Sequence, residues 1–175
     1  MRIIRDYTYV NDQDRGASAA IGNFDGVHLG HRAVIEIARK AGENAGAPCG
    51  VLTFDPHPRQ YFAPNADPFR LMGPAAKATE LAKIGVERLY QLNFNAALAA
   101  LSPEEFATRV IHEGLGLQHV VVGADFCFGK DRVGKAADLQ GFGEKLGFGV
   151  TIAELIEGTQ GQVSSTSIRQ ALAKG

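Results

Sequence analysis

Two histidines stand three residues apart in the stretch GNFDGVHLGH, which runs from Gly22 to His31. Residues three apart in the first turn of a helix share a face, so the imidazoles of His28 and His31 can reach one group. An imidazole donates hydrogen bonds, or carries positive charge, toward oxygens that gain charge in a transition state. The spacing therefore favours a site that handles a phosphate or a similar anion.

The glycines of this stretch fit a phosphate-binding turn. A strand that ends at Gly22, followed by a helix from near Leu29, places the loop where unpaired backbone N–H groups and the helix dipole attract anions. Gly22, Gly26 and Gly30 predict a sharp turn and a close approach of the phosphate. The stretch is neither a Walker loop, since the G-K-[ST] ending is missing, nor G-x-G-x-x-G.

The histidine pair also has two other interpretations. The histidines can be surface residues without a function, or they can bind zinc, which accepts histidine nitrogens. No further histidine or glutamate follows at ligand spacing, and Cys49 and Cys127 lie far apart in the sequence. We therefore expect phosphate binding and no metal held by the protein.

A second candidate segment, TFDPHP at residues 53–58, ends an apolar run. Pro56 and Pro58 predict an absence of regular structure and extended conformations for Asp55 and His57. Such a stiff, ring-rich segment can form a wall for a planar ligand, and a rigid loop without a ligand fits equally well. The candidate residues are Phe54, Pro56, His57 and Pro58.

The third segment, VVGADFCFGKDRVG, follows the fourth predicted strand. Its candidate residues, Gly123, Asp125, Phe126 and Phe128, line the crevice beside the first motif if the first and fourth strands are neighbours where the strand order reverses. Asp125 can accept a hydrogen bond from a ligand or cap the turn locally. We interpret residues 130–132 as a solvated turn.

A fourth segment, SSTSIRQAL at residues 164–172, begins a predicted helix. Ser164 or Ser165 can cap this helix, and Thr166 and Arg169 share a face because they are three apart. Hydroxyls, free amides and an arginine at one helix end make a second anion site. An ordinary helix cap with a surface arginine is the alternative.

The elements that position these segments alternate between strands and helices. Apolar runs predict strands at residues 17–22, 47–54, 86–94, 118–126 and 148–155, and helical periodicity predicts helices from Leu29 onward and at 77–84, 102–115, 138–146 and 164–175. This alternation predicts an α/β fold, with a parallel sheet covered by helices on both faces. Ligands of such sheets bind beyond the carboxyl ends of the strands, where the candidate residues cluster.

Composition limits the classes of function. The chain has 175 residues, of which 45% are hydrophobic, and we predict a single domain over residues 1–175. Its 18 basic and 19 acidic residues give a net charge of −1, so we expect small-molecule substrates and neither nucleic acid nor membrane as a partner. Two cysteines and no apolar leader predict a cytoplasmic protein. We expect a monomer or a weak oligomer.

Taken in order, the segments resemble the N-terminal module of the bacterial bifunctional riboflavin kinase/FAD synthetases. The matching pieces are GNFDGVHLGH, TFDPHP, LSPEEF, VVGADFCFG and SSTSIRQAL, which span nearly the whole chain. The H-x-G-H pattern alone marks the wider nucleotidyltransferase superfamily, and its combination with TFDPHP and DFCFG is much more specific. The resemblance implies a Rossmann-like, doubly wound parallel sheet of the H-x-G-H nucleotidyltransferase type.

The resemblance also implies an activity, FMN adenylyltransferase. AMP passes from ATP to FMN by in-line attack without a covalent enzyme intermediate, giving FAD and pyrophosphate, and Mg²⁺ enters with the ATP. The implied phosphate-stabilising residues are His28, His31 and Arg169. Those implied for the nucleotide are Gly22, Asn23, Phe24, Asp25, Gly30, Ser165, Thr166 and Arg169, and those implied for the flavin are Phe54, Pro56, His57, Pro58, Asp125, Phe126 and Phe128.

Relatives usually continue into a riboflavin kinase module, whereas this sequence stops at Gly175, so we expect no kinase activity. One alternative function is a related nucleotidyltransferase with another phosphate acceptor, such as nicotinamide mononucleotide, phosphopantetheine or a phospho-alcohol with CTP. Another is a flavin- or nucleotide-binding module without catalysis. Class I aminoacyl-tRNA synthetases share the H-x-G-H pattern, but they are far longer and carry a lysine-rich second signature that is absent here.

Overall fold

The computed structural model describes residues 1–154 and the backbone of residues 157–158 and 161–162. The strands are β1 (Arg2–Ile4), β2 (Ser18–Ile21), β3 (Cys49–Asp55), β4 (Arg88–Asn93), β5 (His119–Gly123), β6 (Cys127–Phe128), β7 (Gly134–Lys135), β8 (Gly149–Ala153), β9 (Glu157–Gly158) and β10 (Gly161–Gln162). The helices are α1 (Leu29–Ala45), α2 (Pro58–Phe62), α3 (Pro74–Lys83), α4 (Ala96–Ala99), α5 (Pro103–Glu105), which continues with π-helical turns over Phe106–Gly114, and α6 (Ala136–Leu146).

Six parallel strands form the main sheet in the order β1-β4-β3-β2-β5-β8. From β2 the chain proceeds outward through β3 to β4, and it then returns to the other side of β2 to form β5 and β8. The order thus reverses between β2 and β5, where Ser18 lies opposite His119 and Ala20 opposite Val121. The predicted α/β fold is confirmed, and the first and fourth predicted strands are neighbours, which is the condition under which the third segment lines the crevice beside the first motif.

Alternate strand residues enter two separate cores, one on each face of the sheet. One core joins α1 and α3 to the sheet through Ile35, Ala38, Leu81, Ala20, Val51, Leu89 and Val121. The other core joins two helices to the sheet, namely the π-helical segment Phe106–Gly114 and α6. Its residues include Val110, Leu139, Ala19, Leu52, Tyr90 and Val120. Burial on both faces explains why the strands read as continuous apolar runs.

The sequence pattern did not predict β1. This strand has three residues, of which only Ile4 is buried, so it carries no periodic signal. It pairs with β4 at the edge of the sheet, and an ion pair between Arg2 and Asp14 adds a second attachment. The Tyr90 hydroxyl donates to the Asp14 carbonyl oxygen at 2.6 Å from inside the core. The edge strand therefore depends on long-range contacts that a local pattern does not contain.

The prediction that TFDPHP excludes regular structure is wrong at Pro58. This proline opens α2, and the Nδ1 atom of His57 caps the helix by accepting the Arg59 N–H at 3.0 Å. Proline has no N–H to lose in a first helical turn, and its fixed φ suits that position. Asp55 ends β3 and is extended, as predicted, whereas His57 has φ −56° and ψ 137° at the N-cap of α2.

Candidate active site

A cavity of about 960 Å³ lies at the carboxyl ends of the central strands, near the upper end of ligand-pocket sizes. It collects most predicted site residues within the described part of the chain: Gly22, Asn23, Phe24, Asp25, His28, Gly30, His31, Phe54, His57, Pro58, Asp125, Phe126 and Phe128. Pro56 does not line this cavity. Ser165, Thr166, Arg169 and the predicted C-terminal helix lie outside the described residues.

The loop between β2 and α1 has an unusual backbone. Phe24 has φ +50°, Gly26 has φ +88° and Val27 has φ +41°. Left-handed conformations at a phenylalanine and a β-branched valine store strain, of order 1–3 kcal/mol each. The predicted sharp turn is correct at Gly26, whereas Gly30 lies in the first turn of α1. The surrounding structure must hold this loop in place.

Two sets of hydrogen bonds hold the loop. The buried Asp25 carboxylate accepts the backbone N–H groups of Leu71 at 2.9 Å and Met72 at 3.1 Å. The Asn23 carbonyl oxygen accepts from Thr53 Oγ1 at 3.1 Å and from Lys77 Nζ at 2.7 Å. Asp25 therefore anchors the segment before α3, and its predicted contact with nucleotide stays a prediction.

His28 caps the helix that carries His31. Its Nδ1 atom accepts the His31 N–H at 3.3 Å, and the two imidazole rings stack with centroids 3.6 Å apart and planes 19° apart. The edge-on contact between His31 and Phe24, at 5.1 Å between centroids, joins the pair to the strained loop. The two histidines therefore form one packed unit at the helix N-terminus, on the cavity wall.

Burial favours the neutral form of His28, and the cap determines which ring nitrogen carries its proton. Burial lowers the pKa of His28 below its ordinary value of 6.5, which favours the neutral ring at neutral pH. Because Nδ1 accepts a hydrogen bond, the proton of the neutral ring lies on Nε2. The Nε2 atom is buried and has no hydrogen-bond partner within the described residues. The neutral His28 ring therefore carries one N–H donor, at Nε2, that the described residues leave without a partner.

We expect stability to fall with acidification, in part through His28. Its folded-state pKa lies below the unfolded value of 6.5, so its contribution is complete above pH 6.5 and is lost as the pH falls through the folded pKa. Burial lowers the pKa of His119 as well, so that ring adds to the same trend.

Urea denaturation between pH 5 and pH 8 separates the two histidines. His28→Asn keeps a capping side chain without a titrating ring, so it should flatten part of the pH dependence. His119→Asn should flatten another part. A pH dependence that is identical in wild type and His28→Asn would contradict the proposed neutral cap.

Aromatic rings form another part of the cavity wall. The Phe54 ring contacts Phe94 at 5.8 Å and Phe106 at 6.3 Å between centroids, and Phe126 stacks on Phe128 at 5.5 Å with planes 12° apart. Sequence reasoning missed Phe62, Phe94 and Phe106 as cavity residues. The position of Phe94 directly after β4 was an available signal, whereas Phe62 reaches the cavity from the end of α2.

The segment after β5 reaches the cavity as a hairpin. Strands β6 and β7 pair antiparallel, and residues 130–132 form the exposed turn between them, as predicted. Asp131 and Arg132 of this turn also line the cavity, which the interpretation as a solvated turn did not predict. Gly129 has φ +76°, and a Cβ atom there would lie 2.6 Å from the Pro103 nitrogen. This close approach seats the hairpin against α5, which places Phe126 and Phe128 at the cavity.

The described residues contain no group of three His, Cys, Asp or Glu side chains arranged to hold a metal ion. Among the described residues there is also no helix with the length and apolarity required to cross a membrane.

Comparison with known proteins supplies the family. Residues 10–167 match the family described as FAD synthetase. This chain belongs to the FAD synthetase family. A bifunctional riboflavin kinase/FMN adenylyltransferase of Pseudomonas fluorescens is 43% identical over 173 residues, which are 99% of this chain and 55% of the relative.

Two further curated relatives with the same name are similar to the chain. The Listeria monocytogenes protein is 38% identical over 89% of this chain and 49% of its own length, and the Escherichia coli K12 protein is 34% identical over 99% and 56%. The chain thus spans about half the length of these relatives.

A solved structure shares the fold. A crystal structure described as a macrolide-efflux protein from Streptococcus pneumoniae superimposes with a TM-score of 0.80 and 30% identity, over 97% of this chain and 56% of that one. This structural similarity supports the Rossmann-like α/β architecture of the chain.

Proposed function

We propose that this chain transfers AMP from the magnesium complex of ATP to FMN, giving FAD and pyrophosphate. One observation carries the proposal: a single cavity has a helix N-terminus with His28 and His31 on one wall and a cluster of aromatic rings on another. The first wall suits a polyphosphate, and the second suits a planar ring system. Membership of the FAD synthetase family supports this assignment.

The reaction needs no nucleophile from the protein. An oxygen of the FMN phosphate attacks the α-phosphorus of ATP and forms the new P–O bond, while the bond from the α-phosphorus to the bridging oxygen breaks. Pyrophosphate leaves with that electron pair. Catalysis then rests on position and on stabilisation of the charge that develops on the phosphate oxygens.

The described residues supply that stabilisation at the N-terminus of α1. The His28 Nε2–H donates to a phosphate oxygen, and the stacked His31 keeps the ring in place. The dipole of α1 adds favourable potential for an anion at the same point. We propose that Ser165, Thr166 and Arg169 hold the rest of the triphosphate, as the resemblance of SSTSIRQAL implies.

Magnesium fits this site as part of the substrate. Asp25 uses its carboxylate for the backbone amides of Leu71 and Met72, which leaves it poorly placed to serve as a dedicated ligand. Mg²⁺ is a hard cation that prefers phosphate oxygens and water, so the triphosphate itself can supply most of its ligands. When bound, the cation neutralises part of the charge that separates with pyrophosphate.

We propose that the flavin occupies the aromatic wall. Phe54, Phe126 and Phe128 offer ring faces and edges, and His57 and Pro58 form the adjoining segment. Stacking on such rings distinguishes the flavin from acceptors without a large planar system. The other acceptors, phosphopantetheine and phospho-alcohols in particular, would gain little from this wall.

The test is an assay of FAD formation with ATP, Mg²⁺ and FMN, with pyrophosphate measured in parallel. We expect stoichiometric FAD and pyrophosphate, and little product when CTP replaces ATP or when nicotinamide mononucleotide or phosphopantetheine replaces FMN. Turnover with one of those acceptors and none with FMN would point to a different nucleotidyltransferase. Tight FMN binding without turnover would point to a non-catalytic flavin-binding module.

A further inference from the structure

A lysine lies buried behind the strained loop. Lys77 belongs to α3 and is 8% exposed, although lysine is among the residues least often buried. Its Nζ donates to the Asn23 carbonyl oxygen at 2.7 Å and to Thr53 Oγ1 at 3.4 Å. Burial lowers its pKa, and the nearby negative charge of Asp25 opposes that shift. A buried ammonium group costs free energy, so its presence requires an explanation.

The position of Lys77 relative to the cavity suggests that explanation. Gly22, Asn23 and Phe24 line the cavity, whereas Thr53 and Lys77 do not. The loop therefore separates the ammonium group from the space where a triphosphate would lie. A planar trans peptide directs its carbonyl and its N–H to opposite sides. With the Asn23 carbonyl held toward Lys77, the Phe24 N–H points away from Lys77.

We propose that Lys77 is a positioning residue for nucleotide transfer: by binding the Asn23 carbonyl from behind, it holds the strained loop so that its amides and the His28 cap face the phosphates. This inference rests on the proposed adenylyl transfer. Lys77 acts through the backbone of the loop and does not touch the substrate. Its positive charge, behind a thin layer of backbone, also favours an anion in front of that layer.

The contacts make Lys77→Met a clean test. The Asn23 carbonyl keeps its bond from Thr53 Oγ1 in that variant, so no buried polar atom is left without a partner. Replacing a buried charge by an apolar side chain of similar length is often neutral or stabilising. A residue that serves only the fold would therefore show little effect, or would lower stability and activity together.

The experiment compares wild type with Lys77→Met, Lys77→Arg and the control Lys83→Met. Lys83 lies on the same helix, but its side chain is 66% exposed and pairs with Glu80. For Lys77→Met we expect kcat for FAD formation to fall on the order of tenfold to a hundredfold, with unchanged KM for FMN and wild-type stability. Lys77→Arg should recover part of kcat, and Lys83→Met should match wild type.

Hydrogen exchange of the loop gives a readout that does not depend on activity. Amides of residues 22–28 should exchange faster in Lys77→Met than in wild type, while strand amides keep their protection. If wild type forms no FAD, the proposed function fails and the exchange result still decides the role of Lys77. The inference would be overturned if Lys77→Met had the kcat and the hydrogen exchange of wild type. It would also be overturned if Lys77→Met failed to fold, because the lysine would then serve the fold alone.

Discussion

Replacing His28 by asparagine is expected to lower kcat for FAD formation about a hundredfold or more while the protein keeps its fold. Asparagine is among the best helix caps, so its side-chain oxygen can accept the His31 N–H in place of Nδ1. It cannot place an N–H where the His28 Nε2 lies. The substitution thus separates the capping function from the donor function of one side chain.

Steady-state kinetics and thermal denaturation on the same samples test this result. His28→Ala serves as the comparison, since it removes both functions and should lose a further ~1 kcal/mol of stability through the missing cap. His112→Asn, at an exposed helix position away from the cavity, is the matched histidine control. Near-normal kcat in His28→Asn would refute the proposed donor role, whatever His28→Ala shows.

The site residues that could be predicted from the sequence are those that directly follow the predicted strands. GNFDGVHLGH, the end of β3 and DFCFG all follow buried apolar runs, and a parallel sheet brings the carboxyl ends of its strands to one edge. The adjacency of β2 and β5 then places Gly22 and Phe126 around one cavity. Local patterns were sufficient for this because the residues lie next to the elements that carry them.

The parts that were missed depend on contacts between distant segments. Lys77 meets the Asn23 carbonyl across 54 residues of sequence, and nothing near position 77 indicates that its ammonium group is buried. The positive φ at Phe24 and Val27 is likewise set by what encloses the loop, since neither residue favours that conformation. Pro58 was misjudged because proline breaks a helix interior but suits a helix start.

The structure also favours one of the two roles that the sequence leaves open for His28. The sequence left open whether each imidazole would donate a hydrogen bond or carry positive charge. The cap at Nδ1 and the lowered pKa favour a neutral His28 that donates from Nε2. The helix N-terminus and Lys77 provide positive potential without charging that ring. Activity should therefore not require His28 to become protonated.

His31→Ala is expected to cost about a hundredfold in kcat as well, and its combination with His28→Asn is expected to cost far less than the product of the two losses. The rings stack at 3.6 Å, so removing His31 also removes the surface that orients His28. Once the loss of His31 has misplaced the His28 donor, the further substitution His28→Asn should lower kcat little more. Side chains in contact that act as a unit show such coupling.

A double-mutant cycle on kcat measures the coupling directly. Alanine is favourable within a helix, so His31→Ala should retain α1, which circular dichroism can check. Losses that multiply would show that the two histidines act independently, for example on different phosphates, and would contradict a single stacked unit. A double variant whose kcat is close to that of the single variants would mean that GNFDGVHLGH works through one oriented donor. That donor would be supported from the side by His31 and from behind by the loop that Lys77 holds.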